Sequence, residues 1–161
     1  MIKAVRGTKD ILPGESGIWQ EIEKISRDNL KLFGYREIRT PVIEETALFV
    51  KNIGEETDIV NKEMFSFVDR GERNISLRPE GTASVIRSYI ENNLDKISQF
   101  QKLYYIGPFF RAERPQAGRL RQFHQIGVEA IGSLNPALDA EVIALSAKLL
   151  DAAGIKGYKI K

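Results

Sequence analysis

Cysteine is absent from the 161 residues, which excludes disulfide scaffolds, thiol nucleophiles and iron–sulfur centres. Histidine occurs once, at His124, so zinc sites built from His and Cys and Ser–His–Asp triads have almost nothing to draw on. No apolar run approaches the ~18 residues of a membrane span. The opening Met1-Ile2-Lys3-Ala4-Val5-Arg6-Gly7 has no apolar stretch behind its charges, so it does not read as a signal peptide. A cytoplasmic, reducing setting is the expectation. No single sign of charge dominates: Lys and Arg number 24 against 22 Asp and Glu, a net charge of +2. An anion site must therefore come from local clustering and not from the overall field. Neither the G-x-x-x-x-G-K-[ST] loop nor G-x-G-x-x-G is present, so a bound nucleotide would sit on neither familiar glycine loop.

Apolar residues at 42% and charged residues at 29% are ordinary for a globular domain, and the length allows one sizeable core. Residues 1–15 read as irregular. A helix is predicted over Ser16–Phe33, with Ile18, Ile22, Ile25 and Leu32 on one face, and Gly34 stops it. Tyr35–Glu44 reads as a strand. Pro41 cannot donate to a ladder, so this strand belongs at an edge or an interface. A short helix over Thr46–Asn52 follows. Met64–Val68 and Asn74–Leu77 form a hairpin through Asp69-Arg70-Gly71-Glu72. A helix from Gly81 to Asn93 turns Val85, Ile86, Tyr89 and Ile90 inward. Strands are predicted over Lys102–Glu113 and Gln122–Ile131. A last helix starts at Asn135-Pro136, with Leu138, Val142, Leu145 and Leu149 on its core face, and Gly154 ends it. Hairpins in place of repeated βαβ units predict an α+β fold, an antiparallel β-sheet flanked by helices.

The most informative stretch is Phe109–Ile131. Side chains alternate across a strand, so Phe109, Arg111 and Glu113 share one face of the first strand. Phe123, Gln125, Gly127 and Glu129 share one face of the second, and His124, Ile126, Val128 and Ala130 the other, which should meet the core. The first of these faces is either solvated or lines a polar pocket. Gly127 favours a close approach by a ligand or another backbone. Four arginines fall between Arg111 and Arg121 with one acid, Glu113. Arginine's planar fork suits phosphate and carboxylate oxygens, and Phe123 offers a surface for a base.

These residues carry a resemblance. Phe110-Arg111-Ala112-Glu113, then Arg114-Pro115-Gln116 and Arg121-Gln122-Phe123-His124-Gln125, resembles motif 2 of the class II aminoacyl-tRNA synthetases in its histidyl form. Gly34-Tyr35-Arg36-Glu37-Ile38-Arg39-Thr40-Pro41 resembles motif 1, the dimer-interface segment. Arg6-Gly7-Thr8-Lys9-Asp10-Ile11-Leu12-Pro13 is similar to that subgroup's N-terminal segment, and Leu77-Arg78-Pro79-Glu80-Gly81-Thr82 to its substrate segment. The four matches stand in family order and cover nearly the whole chain. Family members are more than twice this long. Motif 3 and the anticodon-binding domain are missing, so residues 1–161 read as the N-terminal portion of a class II catalytic domain, incomplete as an enzyme.

The resemblance implies an ATP-dependent joining of histidine to its tRNA through histidyl-adenylate. Arg111 corresponds to the arginine on the α-phosphate and the substrate carboxylate, the catalytic position. Glu113 corresponds to the adenine-reading glutamate, Arg119 to the outer-phosphate arginine and Phe123 to the ring under adenine. Glu80, Thr82 and Gln125 correspond to the holders of the α-ammonium, and an ammonium with three donors wants such acceptors. Glu129 corresponds to the carboxylate facing the imidazole. Arg114 and Gln116 correspond to the loop that meets the tRNA acceptor end. The implied partners are histidine, ATP with Mg²⁺, tRNA(His) and a second copy docked through the motif 1 region near Pro41. No membrane, zinc or organic cofactor is implied, and the Mg²⁺ ligands are not identified. Two other readings stay open: the non-catalytic synthetase-like regulatory subunit of an ATP phosphoribosyltransferase, and an isolated dimerising module.

Overall fold

The computed structural model describes residues 1–53, 63–116 and 118–160. Helix α1 (Pro13–Leu32) opens with Leu12 extended and Pro13 in the first turn, where a missing N–H costs nothing. It closes at Gly34, whose φ of 78° suits a residue without Cβ. Sheet A is built from β1 (Arg36–Glu37), β5 (Gln101–Phe110) and β6 (Gln122–Ile131), in the order β1-β5-β6. Sheet B is β2 (Ile43–Glu45), β4 (Asn74–Leu77) and β3 (Ser66–Val68), in the order β2-β4-β3. The helices between them are α2 (Thr46–Ile53), α3 (Thr82–Glu91), the single turn α4 (Leu94–Ile97) and the late α5 (Ala137–Ala152). None of the described helices is long and apolar enough to cross a membrane. The α+β class with antiparallel pairing holds, with one exception: β1 runs parallel to β5.

Sheet A has a core on each face. One packs Leu30, Tyr35, Tyr104 and Leu145 together with Phe33, Ile106, Val128 and Leu149, which joins α1 and α5 to the sheet. The other packs Val85, Leu103, Tyr105 and Phe109 with Ile38, Leu94, Phe123 and Ile131, which brings in α3 and α4. Side-chain alternation explains the division, since Tyr104 and Tyr105 point to opposite faces.

Several sequence expectations are corrected. The stretch Tyr35–Glu44 is two strands in two sheets, because Pro41 breaks the ladder and residues 38–42 cross from one sheet to the other. Helix α1 buries Ser26 and Leu30, while Ile18, Ile22 and Leu32 are exposed. Apolar residues at 18, 22 and 32 and at 19, 30 and 33 make two stripes, and periodicity alone cannot choose between them. The packing of Leu30 and Phe33 against Tyr35, Tyr104 and Leu145 decides the rotation, and the Trp19 ring meets His124 edge-on at 4.7 Å. Ile90 is exposed, although Val85 is fully buried. His124 and Ile126 lie at the open end of their face and are exposed, whereas Val128 reaches the core. The core face of α5 and both hairpin strands fall where the pattern put them, and the first hairpin is pinned by Asp69, which accepts the N–H groups of Gly71 and Arg73.

Where β1 and β5 part, Arg78 takes the place of the ladder. Its Nε donates to the Pro108 carbonyl at 3.0 Å, and Nη1 donates to the Thr40 carbonyl at 3.0 Å and the Thr40 hydroxyl at 3.1 Å. The guanidinium lies 4.4 Å from the centre of the Phe109 ring. Burial lowers its pKa from the ordinary arginine value. This one side chain ties the segment before Pro41 to the strand that carries the candidate site.

Candidate active site

The β5–β6 ribbon supplies a flat frame. Its register places Phe109 opposite Phe123, Gly107 opposite Gln125, Tyr105 opposite Gly127 and Leu103 opposite Glu129. These eight residues share one face. Six residues of strand at about 3.3 Å each put Phe123 and Glu129 roughly 20 Å apart along that face. The face therefore has two ends, and they differ in chemistry.

One end is cationic and aromatic. A cleft of about 540 Å³ is lined by Glu63, Arg111, Glu113, Gly118, Arg119, Leu120, Phe123 and His124. Arg111 donates through Nε to the Pro79 carbonyl at 3.1 Å, and its guanidinium carbon lies 5.4 Å from the Phe123 ring centre. The two terminal nitrogens of its fork stay available among the described residues. Glu113 accepts a hydrogen bond from Arg119 Nη1 at 3.2 Å. Arg121 is spent on structure: its Nε donates to the Glu113 carbonyl, and its backbone N–H donates to Gly7.

The other end is a cluster of oxygens. Glu80 receives the backbone N–H groups of Thr82 at 2.6 Å and Ala83 at 3.0 Å, so it caps α3. A carboxylate has about four lone-pair sites, which leaves acceptor capacity for a ligand. The Thr82 hydroxyl donates to Glu129 at 2.8 Å. Burial pushes the Glu129 carboxyl above its ordinary value; Thr82 acts against that, Glu80 adds to it and Tyr105 opposes it. Gln125 lies between the two ends, and its amide bonds to no described residue. Arg111, Gln125 and Glu129 thus share one surface.

Two expectations fall elsewhere. Arg114 and Gln116 are exposed in the loop, where the backbones of Gln116 and Arg119 pair. Pro41 flanks a separate groove of about 490 Å³ with Glu44, Leu48, Arg87 and Glu91. Of the two cations lining that groove, Arg87 is paired to Glu44 and to Glu91 at 2.6 Å each, and Lys51 is the other.

Sequence reading missed Tyr105 and Arg78. A methyl built on Gly127 would lie 2.2 Å from Tyr105 Cζ, and one on Gly81 would also lie 2.2 Å from it. The close approach that Gly127 signals is this ring. Counting back by twos from Phe109 to Gly107 and Tyr105 would have found it. Nothing in the sequence singles out Arg78, because its acceptors are backbone carbonyls from distant segments.

Comparison with known proteins now decides the family. A family model described as histidyl-tRNA synthetase matches residues 7–161. The chain belongs to the histidyl-tRNA synthetase family. Histidine–tRNA ligases from Solibacter usitatus and Synechocystis are each 56% identical to this synthetase-family chain. It aligns over 99% of its own length in both cases and spans 39% and 36% of theirs. The apo S. aureus histidyl-tRNA synthetase superposes with a TM-score of 0.79 at 45% identity, covering 94% of this chain and 35% of that one. A Bacillus halodurans protein described as an ATP phosphoribosyltransferase regulatory subunit/histidyl-tRNA synthetase superposes with a TM-score of 0.84 at 29% identity, covering 99% and 40%. The chain therefore spans well under half of the synthetases it matches, and its fold is part of the class II synthetase catalytic domain.

Proposed function

We propose that this chain is the histidine- and ATP-binding floor of a histidine–tRNA ligase. The observation that carries the reading is the single β5–β6 face with an arginine–phenyl cleft at one end and a carboxylate–hydroxyl cluster at the other. ATP lies at the first end. Phe123 stacks on adenine, Glu113 accepts from its amino group, and Arg119 meets the outer phosphates once it leaves Glu113. Histidine lies at the second end. Glu80, Thr82 and Gln125 take the α-ammonium, and Glu129 accepts the ring N–H.

Arg111, at the nucleotide end but held by the carbonyl of Pro79 next to Glu80, is the catalytic residue. The substrate carboxylate is already ionised at pH 7, so its attack on the α-phosphorus needs no general base. Pyrophosphate leaves as the new C–O–P link forms. The barrier is set by alignment and by negative charge gathering at the α-phosphate. The Pro79 carbonyl and the Phe123 ring hold the Arg111 fork and leave its two terminal nitrogens for that charge. Mg²⁺ arrives with ATP as its counter-ion, and Glu63 and Glu113 are carboxylates lining the same cleft. Transfer to tRNA(His) through the Arg114–Gln116 loop, dimerisation near Pro41 and a cytoplasmic location belong to the same proposal.

The likeness to the Bacillus halodurans protein keeps a regulatory role as the second reading. Retention of Arg111, Glu113, Arg119 and Phe123 in one cleft favours the ligase. The test is ATP–pyrophosphate exchange by the full-length protein. Exchange that requires histidine supports the ligase. Histidine binding with no exchange supports the regulatory subunit.

A further inference from the structure

We propose that Tyr105 is a positioning residue: its hydroxyl holds the Glu129 carboxylate as an acceptor, and so fixes which ring the amino-acid end of the site admits. The inference rests on the histidine reading of that end, which it deepens.

The geometry gives Tyr105 almost no freedom. Its ring occupies a slot whose walls are Gly81 and Gly127, and a Cβ on either wall would come within 2.2 Å of Cζ. The residue is 9% exposed. Its ring also meets Phe109, with centroids 5.6 Å apart and planes at 54°. Two backbones and a neighbouring ring thus aim the hydroxyl. The hydroxyl sits against Gly81 and Gly127, with an ideal Cβ on either coming within 2.5 Å of the Tyr105 oxygen; Thr82 is the next residue after Gly81, and Glu129 is the next residue along the same face of β6.

The groups acting on Glu129 can be counted by element. From α3 come Thr82, which donates at 2.8 Å, and Glu80 just before the helix, which repels. From β5 comes Tyr105. Tyr35, on the far core, couples to Glu129 only electrostatically and with no net charge of its own. None of these groups is a cation. A carboxylate buried without a cation stays ionised only through hydrogen bonds to its charged form. The Thr82 hydroxyl supplies one of them, and the second is the one assigned to Tyr105. Burial, with Glu129 and Glu80 nearby, pushes the Tyr105 phenol up to about 12, so it remains a donor throughout the neutral range. Losing it leaves Glu129 protonated to a higher pH. A protonated Glu129 turns an O–H toward the ligand and no longer selects a ring N–H.

The test uses the ligand-free 161-residue chain and its Tyr105→Phe variant, which keeps the ring in the slot. The Glu129 carboxyl is followed by carbon NMR across pH, and L-histidine binding is measured by calorimetry across the same range. The inference predicts that Tyr105→Phe moves the Glu129 titration to higher pH. It also predicts that the acid limb of histidine binding moves with it, with affinity down on the order of tenfold near pH 6. A purely packing role would leave both midpoints in place, and that result overturns the proposal. If the titration moves but the full-length wild-type protein, measured the same way, binds no histidine, the histidine reading falls and the hold on Glu129 stands. If Tyr105→Phe does not fold, 3-fluorotyrosine at position 105 keeps the shape and is the stronger donor. It must then lower the Glu129 midpoint; an unchanged or raised midpoint refutes the hold.

Discussion

Gly127→Ala separates close packing from ordinary strand propensity. The φ of Gly127 is not positive, so alanine meets no backbone penalty there. In an unconstrained strand the change would stabilise by roughly 0.5–1 kcal/mol, because glycine loses more freedom on folding. Here the new methyl would lie 2.2 Å from Tyr105 Cζ, 2.3 Å from its oxygen and 2.5 Å from Cε2. Non-bonded carbons prefer about 3.5–4.0 Å, so the ring must shift by more than an ångström. It cannot do so cheaply, since Gly81 closes the other side and Val85, Leu103 and Phe109 pack around it. Overpacking costs about 1–3 kcal/mol, and outright expulsion of a buried aromatic about 3–5. The net expectation is a loss of about 2–4 kcal/mol, opposite in sign to the propensity effect. Urea unfolding of the chain measures it. In a Tyr105→Ala background, adding Gly127→Ala should cost nothing or stabilise slightly. A stabilising single substitution, or a full cost that persists without the tyrosine ring, refutes the slot.

Three further outcomes are expected. Glu129 has a folded pKa raised above its unfolded value near 4.5, so wild-type stability falls as pH rises from the unfolded value through the folded one. Glu129→Gln should remove that decline and be the more stable protein at pH 7 to 8, while losing histidine; denaturant curves at pH 4 and pH 8 check the sign. Arg78→Lys should cost on the order of 2–4 kcal/mol, because a point ammonium cannot bridge the Pro108 and Thr40 carbonyls and cover Phe109 together; a change under 1 kcal/mol in chemical unfolding would contradict the brace. Glu113→Gln should free Arg119 and strengthen inorganic tripolyphosphate binding by about 2–5-fold, the worth of an exposed pair, while weakening adenosine; calorimetry with the two probes separates these effects.

Much of the site was legible because it lies on paired strands. A period of two put Phe123, Gln125, Gly127 and Glu129 on one face, and the antiparallel register set Phe109, Gly107, Tyr105 and Leu103 opposite them. Strand β5 stops at Phe110, short of the expected Glu113, and Arg111 just past its end is tied on by its backbone N–H to the Arg121 carbonyl. Helix α5 was legible for a similar reason, since its leucines make a single stripe. What could not be read came from tertiary choices. Helix α1 carries two apolar stripes, and the packing of Leu30 and Phe33 against Tyr35, Tyr104 and Leu145, with Trp19 on His124, selects one. Pro41 was rightly seen as unfit for a ladder, but not that the chain changes sheets there. Glu80 reads equally well as a helix cap and as a ligand group, and in the ligand-free chain it is the cap. Arg78 acts through backbone carbonyls from segments 30 and 38 residues away, which no local pattern announces.

The central claim is that one ribbon face holds an amino acid and a nucleotide end to end. A crystal structure of the chain with a non-hydrolysable histidyl-adenylate analogue tests it most directly. The imidazole should meet Glu129, the linking group Arg111 and the adenine Phe123. Density for the analogue on the Val128 face, in the groove beside Pro41, or on the same ribbon with its two ends reversed would contradict the account.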